Sequence, residues 1–515
     1  MRSMKKGFSL IARGCVFLAV MAGVILILNS GMKLRHRDGM SGSYYSFPKD
    51  TFDVVFLGSS IMMYGVQPLE MYGEYGIAAY NLSTGNQSLG ISYYLAKEVI
   101  ARDHPSVIVL DCSRSIQAEE DTKIAYMHYV TDNMPLLSGN RIRMITELRE
   151  RGEWNELLLP LVAYHSRWDE LGKPDGRVRS KEGMYGSRSM ASMNEVIPLQ
   201  EPVRVENALS DSARTYLEKI VDLCDENNTS LVLVSLPLPG KNEFWGQEEY
   251  NLRWSASEEI AELAREKDVE YINYMTRAEE IGLDLETDFF DGEHMNRWGA
   301  EKFSRLLAKQ IREKYGLPDR RGEGGAYDRI EKDYSRYPLY RMQSCLQNAS
   351  SLHRIADTLA EDAHDKPVED VLVLLALNGK VDTDHLGEAS AARLQKCGIE
   401  ADLHKWEENV WLAVIDGGRV VYQTSPEGTG GKPDAVEGDA GRLQYCVSSG
   451  RQNEETGEIE DAASIKVNRL EYTASEKGLY IVAMDKTSGE PLEICRIRME
   501  SDYLETVHLD QTEEQ

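Results

Sequence analysis

Short apolar runs recur along the first half of the chain, at Asp53–Ser59, Ile77–Ser83, Val107–Ser113, Leu231–Leu236 and Val269–Tyr274. The first of them, with Val54–Leu57 after Asp53, is apolar on both faces and short, the pattern of a buried parallel strand. Between them the apolar positions shift to helical spacing. Ala213, Tyr216, Leu217, Ile220 and Cys224 form one such stripe. Phe303, Leu306, Leu307 and Ile311 form another, and that helix is expected to stop at Gly316, with Pro318 beyond. Strands alternating with helices predict a parallel α/β sheet with right-handed crossovers. The connection from Arg114 to Pro202 is too long for a simple crossover and reads as an insertion. Its cluster Tyr164-His165-Ser166-Arg167-Trp168 fits either an acceptor pocket or a helix anchored by its own aromatic side chains.

A different pattern follows. Residues 318–366 are polar, with Gly-rich and Arg–Asp stretches, and read as a linker plus one helix. Apolar runs then resume at Val371–Asn378, Val410–Thr424, Ala463–Tyr472 and Gly478–Met499, with a helix near Leu386–Cys397. The last run is a hairpin turning at Lys486–Gly489. Residues 425–442 and 450–461, rich in Gly, Pro and acids, read as loops. These features predict a separate α+β or β-sandwich-like domain over residues 367–500.

The N-terminus is a third region. Arg2, Lys5 and Lys6 precede an apolar stretch, and Gly14–Leu28 carries no charge. Counted from Phe8, with Arg13 snorkelling, it approaches the length of a membrane helix. No A-x-A-like site follows Leu28, so residues 1–30 are read as an uncleaved signal anchor, a cleaved signal peptide being the alternative. Lys33, Arg35 and Arg37 leave basic residues on both flanks; the N-terminus is taken as cytoplasmic and the bulk of the chain as extracellular.

Charge narrows the partners. The 515-residue chain has 58 basic and 85 acidic residues, a net −27, which makes nucleic acid and anionic surfaces poor partners. Residues 318–515 hold 22 basic and 39 acidic residues, and 22 − 39 = −17 of that charge. The seven cysteines are scattered, with no metal-ligand spacing and no disulfide framework. No cofactor is expected.

Chemistry concentrates at two places. The first strand ends in Gly58-Ser59-Ser60, which puts Ser60 at the carboxyl end of a buried parallel strand, where open α/β sheets bind ligands. Gly and Ser are also common in ordinary turns. Downstream, DFFDGEHMNRWGAEKF holds Asp291 and His294 just before a helix that starts near Asn296. A carboxylate that fixes an imidazole, and an imidazole that takes a serine proton, make a nucleophilic triad.

On these residues the chain resembles the SGNH (GDSL-like) hydrolase superfamily over about Phe52–Leu317. The matching blocks are G-x-S at Gly58–Ser60, YNLSTGNQS at Tyr80–Ser88 and D-x-x-H at Asp291–His294. The resemblance implies a flavodoxin-like five-stranded sheet over residues 50–317, with the insertion at 114–204. It implies Ser60 as nucleophile and an oxyanion hole from the Ser60 amide and Gly85 or Asn86. The third block departs: VIVLDCSRS at Val107–Ser115 has no Asn, so that donor is missing or replaced by Ser113, Arg114 or Ser115. This departure resembles the membrane-anchored branches that transfer D-alanyl groups to teichoic acid or O-acetylate alginate. The implied activity is a serine esterase or O-acyltransferase acting on acylated envelope glycan or a teichoic-type polymer, with a membrane-embedded acyltransferase as a further partner. Val371–Met499 resembles the interleukin-like EMT-inducer domain, implying a glycan-contacting accessory module. The competing expectation is a non-catalytic carbohydrate-binding or scaffold protein on the same fold.

Overall fold

All five apolar runs of the first half become strands of one parallel sheet: β1 (Val54–Leu57), β2 (Ala79–Asn81), β3 (Val107–Asp111), β4 (Ser230–Ser235) and β5 (Glu270–Asn273), in the order β2-β1-β3-β4-β5. Described are residues 2–32, 41–168, 185, 197–238, 240–241, 246–285, 287–347, 352–359, 369–380, 388–498 and 506–508 of a computed structural model. Val54 lies opposite both Ala79 and Val107, and Val109 opposite Val232. Every residue of β1 and β3 is buried, which is why these runs lack polar alternation. The strands end one or two residues short of the apolar runs, because Gly58-Ser59 and Cys112-Ser113 belong to the turns that follow.

Helices cover the sheet. Two of them are α2 (Leu89–Asp103) and α3 (Asp211–Glu226). Ser210 caps α3, its Oγ accepting from the Ala213 amide at 3.1 Å. Ala213, Leu217, Ile220, Val221 and Cys224 are its buried stripe, while Tyr216 is half-buried. Further along come α4 (Gln247–Glu266) and α5 (Arg297–Tyr315). From α5, Phe303, Leu307 and Ile311 enter the core under the sheet beside Phe56, Val109 and Val234.

The chain divides into two compact units. Among the described residues, the first comprises those up to 185 together with 197–295 and 299–331; the second comprises Asn296–Trp298 and those from 332 to 508. The first unit also contains α1 (Arg2–Met32), a 31-residue N-terminal helix of which Arg13–Met32 is long and apolar enough to cross a membrane. Near its end, Asn29 Oδ1 accepts a hydrogen bond from the Leu161 amide at 2.9 Å. Leu161 belongs to a short helix of the insertion, Pro160–Ala163, which follows helices Ile124–Thr131, Gly139–Leu148 and Trp154–Leu158. Of the cluster Tyr164–Trp168, the tyrosine hydroxyl bonds Asp132 and His128, whereas His165 and Trp168 are exposed. The remainder of the insertion, 169–184 and 186–196, and the basic residues Lys33, Arg35 and Arg37 lie outside the described residues.

In the second unit a six-stranded antiparallel sheet is built on β6 (Val371–Asn378), β7 (Leu412–Asp416), β8 (Arg419–Gln423), β13 (Gly478–Asp485), β14 (Pro491–Ile497) and β15 (Thr506–His508). A four-stranded sheet joins β9 (Asp434–Ala440), β10 (Leu443–Gln452), β11 (Ile459–Val467) and β12 (Leu470–Glu471). Leu372, Leu374 and Val482 on one face of the large sheet pack against Val447, Ile465 and Val467 of the small one. The opposite face, with Val373, Leu375 and Ile481, packs on helices. The unit is therefore a sandwich with a helical layer behind it.

Two expectations need revision here. Helices Asp328–Ser335, Tyr337–Gln347 and Leu352–Leu359 occupy the stretch read as a linker with one helix. Leu339, Met342, Leu346, Ile355 and Leu359 from the last two sit in the core of the second unit. Residues 450–452 and 459–461, read as loop, are the ends of β10 and β11, and residues 434–440, read likewise, are strand β9. Its inward positions hold Asp434, Val436, Gly438 and Ala440, too little apolar surface to show as a periodic signal. The Asp434 carboxylate accepts from the Tyr422 hydroxyl at 2.6 Å and from Thr424 Oγ1 at 2.7 Å, so a polar residue faces inward with partners.

Candidate active site

Beyond β1 the chain turns sharply at Gly58 and starts a six-residue helix at Ser60. The turn leaves no room for a side chain at 58: a Cβ there would stand 2.5 Å from Asp111 Cβ. Asp111, the last residue of β3, is buried and organises the turn. Its Oδ2 accepts from Ser59 Oγ at 3.0 Å and from Ser113 Oγ at 2.6 Å, and its Oδ1 accepts from the Ser113 amide at 3.0 Å. Burial pushes the Asp111 pKa up, and the bonds from Ser113 and Ser59 work against that rise. Ser59 is 1% exposed and spends its hydroxyl on Asp111, on Ser113 and on capping the Ile61 amide. Of the two serines in the turn, Ser60 alone faces the crevice.

The histidine arrives from a closed loop. Phe289 and Met295 bridge its base, and the Phe290 amide donates to the His294 carbonyl at 3.0 Å. Inside the loop, Asp291 Oδ1 accepts the amides of Glu293 and His294 at 2.8 and 2.7 Å. The ring of His294 is held by Asp291, with Nδ1 2.9 Å from Oδ2 and 3.1 Å from Oδ1. Its other nitrogen, Nε2, stands 2.8 Å from Ser60 Oγ. Tyr64 packs edge-on against the imidazole at 5.2 Å, and Phe290 flanks it at 5.7 Å. Burial works to raise the Asp291 pKa, but the bonds from His294 and the two amides outweigh it and hold the carboxyl below its ordinary range. Asp291 is therefore ionised at neutral pH and favours the Nδ1–H tautomer, which leaves Nε2 free to accept a proton from Ser60.

Glu293 adds a second carboxylate, its Oε1 3.7 Å from His294 Nε2. Arg253 of α4 takes up that charge at 2.9 Å and also pairs with Glu249 at 2.6 Å. Neither Glu293 nor Arg253 was visible as a site residue in the sequence. The acid lay within the D-x-x-H block, but its arginine comes from a helix with no motif.

The Gly85–Asn86 turn is brought beside Ser60 by the sheet. The Leu82 amide donates to the Phe56 carbonyl at 2.8 Å and the Thr84 amide to the Gly58 carbonyl at 3.2 Å. Asn86 has φ 51°, a left-handed conformation that Asn tolerates. Among the described residues, the amides of Ser60, Gly85 and Asn86 donate to no protein acceptor. Amides left free beside a nucleophile can stabilise a developing oxyanion. At the third block, the Ser113 hydroxyl is committed to Asp111 and Ser59, and Cys112 is buried, its thiol pKa driven up by burial. No cluster of metal-ligating side chains occurs among the described residues.

No family model and no curated protein matches the chain. Solved structures do. A GDSL-like lipase from Bacteroides thetaiotaomicron is 13% identical with a TM-score of 0.27, over 51% of this chain and 88% of that one. An extracellular lipase from Streptomyces rimosus is 10% identical with a TM-score of 0.24, over 50% and 99%. A Bacteroides fragilis structure whose acylhydrolase activity is itself an assignment is 11% identical with a TM-score of 0.26, over 51% and 87%.

Proposed function

We propose that the chain is a serine esterase or O-acyltransferase that acts on acyl esters through a covalent Ser60 ester. The observation that carries this reading is the hydrogen-bonded series Ser60 Oγ–His294 Nε2 and His294 Nδ1–Asp291 Oδ2, at 2.8 and 2.9 Å. In the proposed reaction Ser60 Oγ attacks the ester carbonyl and its proton passes to His294 Nε2. Asp291 holds the imidazole and stabilises the imidazolium. The tetrahedral oxyanion lies against the amides of Ser60 and of Gly85 or Asn86; losing one such donor costs about a hundred- to a thousandfold in rate. Collapse expels the alcohol, which takes the proton from Nε2. Water, or a hydroxyl of an acceptor, then repeats the sequence in reverse and releases Ser60.

The natural substrate we propose is an acylated cell-envelope polysaccharide or teichoic-type polymer, met outside the membrane by a domain that Arg13–Met32 anchors. Support comes from the apolar N-terminal helix and from the presence of a second compact unit in the chain. That unit is proposed to contact the polymer, with a membrane-embedded acyltransferase as the acyl source in the transferase case.

Full-length protein in detergent should label at Ser60 with a fluorophosphonate and hydrolyse aryl acetates. Ser60→Ala should abolish both while circular dichroism stays unchanged. Undiminished turnover by Ser60→Ala would remove Ser60 as nucleophile. Absence of both labelling and turnover in the wild type would leave a non-catalytic envelope protein.

A further inference from the structure

The turn after β3 carries a charge that the mechanism above does not use. Arg114 follows Ser113, whose hydroxyl is 2.9 Å from Ser59 Oγ, so the arginine is rooted against the nucleophile turn. It is half-buried, and its Nε is sealed from solvent with no acceptor. Among the described residues its guanidinium makes no hydrogen bond or ion pair. The charges around it are Arg253, Glu293, Glu249 and Asp111. Both glutamates pair with Arg253, and the oxygens of Asp111 are occupied by Ser59 and Ser113. Among the described residues Arg114 is left as a cation that no carboxylate contacts directly, within reach of the charge of Glu293 in the His294 loop.

A guanidinium partly withdrawn from water and without a direct partner costs free energy that an incoming anion recovers. Burial, and then the like charge of Arg253, lower the Arg114 pKa, against the partial compensation of Glu293, Glu249 and Asp111. The chain as a whole carries −27 and repels anions, so an anionic substrate needs a local cation to reach Ser60. The planar fork of an arginine suits a carboxylate or a phosphate, which it can hold through two parallel hydrogen bonds.

We propose that Arg114 forms an anion subsite next to Ser60 and that the substrate of this site carries a carboxylate or phosphate close to the scissile ester. The proposal rests on the serine-esterase reading and deepens it by naming the substrate class.

Three matched esters test it on the full-length chain: methyl 4-acetoxybenzoate, 4-acetoxybenzoate and 4-acetoxyphenyl phosphate, which are neutral, carboxylate and phosphate. Wild-type protein should show kcat/KM at least about tenfold higher for one of the anions than for the neutral ester, the scale of a charge-assisted hydrogen bond. Arg114→Gln should bring that ratio close to one, and Arg114→Lys should restore part of it. Which anion is preferred distinguishes a carboxylated from a phosphorylated substrate. A wild-type ratio near one overturns the proposal. So does an equal loss on all three esters in Arg114→Gln, which would make Arg114 an oxyanion donor instead. Calorimetry on Ser60→Ala protein separates this inference from the reading beneath it. Benzoate or inorganic phosphate should bind, and binding should vanish when Arg114→Gln is added. Binding without any wild-type turnover or Ser60 labelling would sink the esterase and keep the subsite; no binding of either anion would sink the subsite.

Discussion

Gly58 is where the backbone makes room for the site. A methyl group at 58 would meet Asp111 Cβ at 2.5 Å, and Asp111 is fixed by Ser59 and Ser113. Gly58→Ala should therefore cost about 1–3 kcal/mol, the usual price of overpacking a filled interior, seen as a lower urea midpoint with an unchanged slope. An unshifted midpoint would mean that β3 yields easily and that the contact is loose. The sequence made Ser60, Asp291 and His294 visible because each stands at a strand end or helix start, positions that apolar periodicity marks. Asp111 closes β3 just before the turn that carries Arg114, and a single acid at the end of an apolar run has no spacing that marks it as the anchor of another turn. Arg253 could not be read at all, since its partner Glu293 is adjacent to it only in the folded chain.

Helices of the insertion carry a titrating element of their own. His128 Nδ1 is 3.2 Å from Asp132 and its Nε2 is 3.4 Å from Glu156, while the Tyr164 hydroxyl bonds both His128 and Asp132. Burial works to lower the His128 pKa, but the bonds and charges of Asp132 and Glu156 outweigh it and raise it above 6.5. A raised histidine pKa stabilises the fold fully below the unfolded value and loses that contribution as pH rises through the folded value. The gap in melting temperature between wild type and His128→Gln should accordingly be widest near pH 6 and shrink by pH 9. A gap that does not change with pH would mean that His128 contributes packing rather than charge. Elements differ in legibility for related reasons. Strands buried on both faces announce themselves by composition, as β1 and β3 do. Strand β9 hides, because its inward face is Asp, Val, Gly and Ala. The helices Tyr337–Gln347 and Leu352–Leu359 hide because their core residues are diluted by polar neighbours on the exposed side.

For the whole molecule, the two-unit division places the boundary after Glu331, beyond the Pro318 where composition changes. Residues between those points belong to the first unit. Arg320 pairs with Asp53 at 2.7 Å, and Glu331 accepts from the Tyr72 hydroxyl at 2.6 Å. A fragment of residues 41–331 should hence melt higher than one of 41–320 and retain more aryl-ester turnover. Equal melting temperatures would show that the segment after Arg320 merely lies on the surface. The bond from the Leu161 amide to Asn29 gives the first unit a mechanical character. A helix joined to its domain only through a covalent linker acts as a leash and lets the cargo roam a hemisphere. One that is also gripped by a side-chain bond acts as a mast. With the helix inserted as proposed, the catalytic residues ride at a set height above the bilayer, and the search for the proposed substrate reduces to drift in two dimensions.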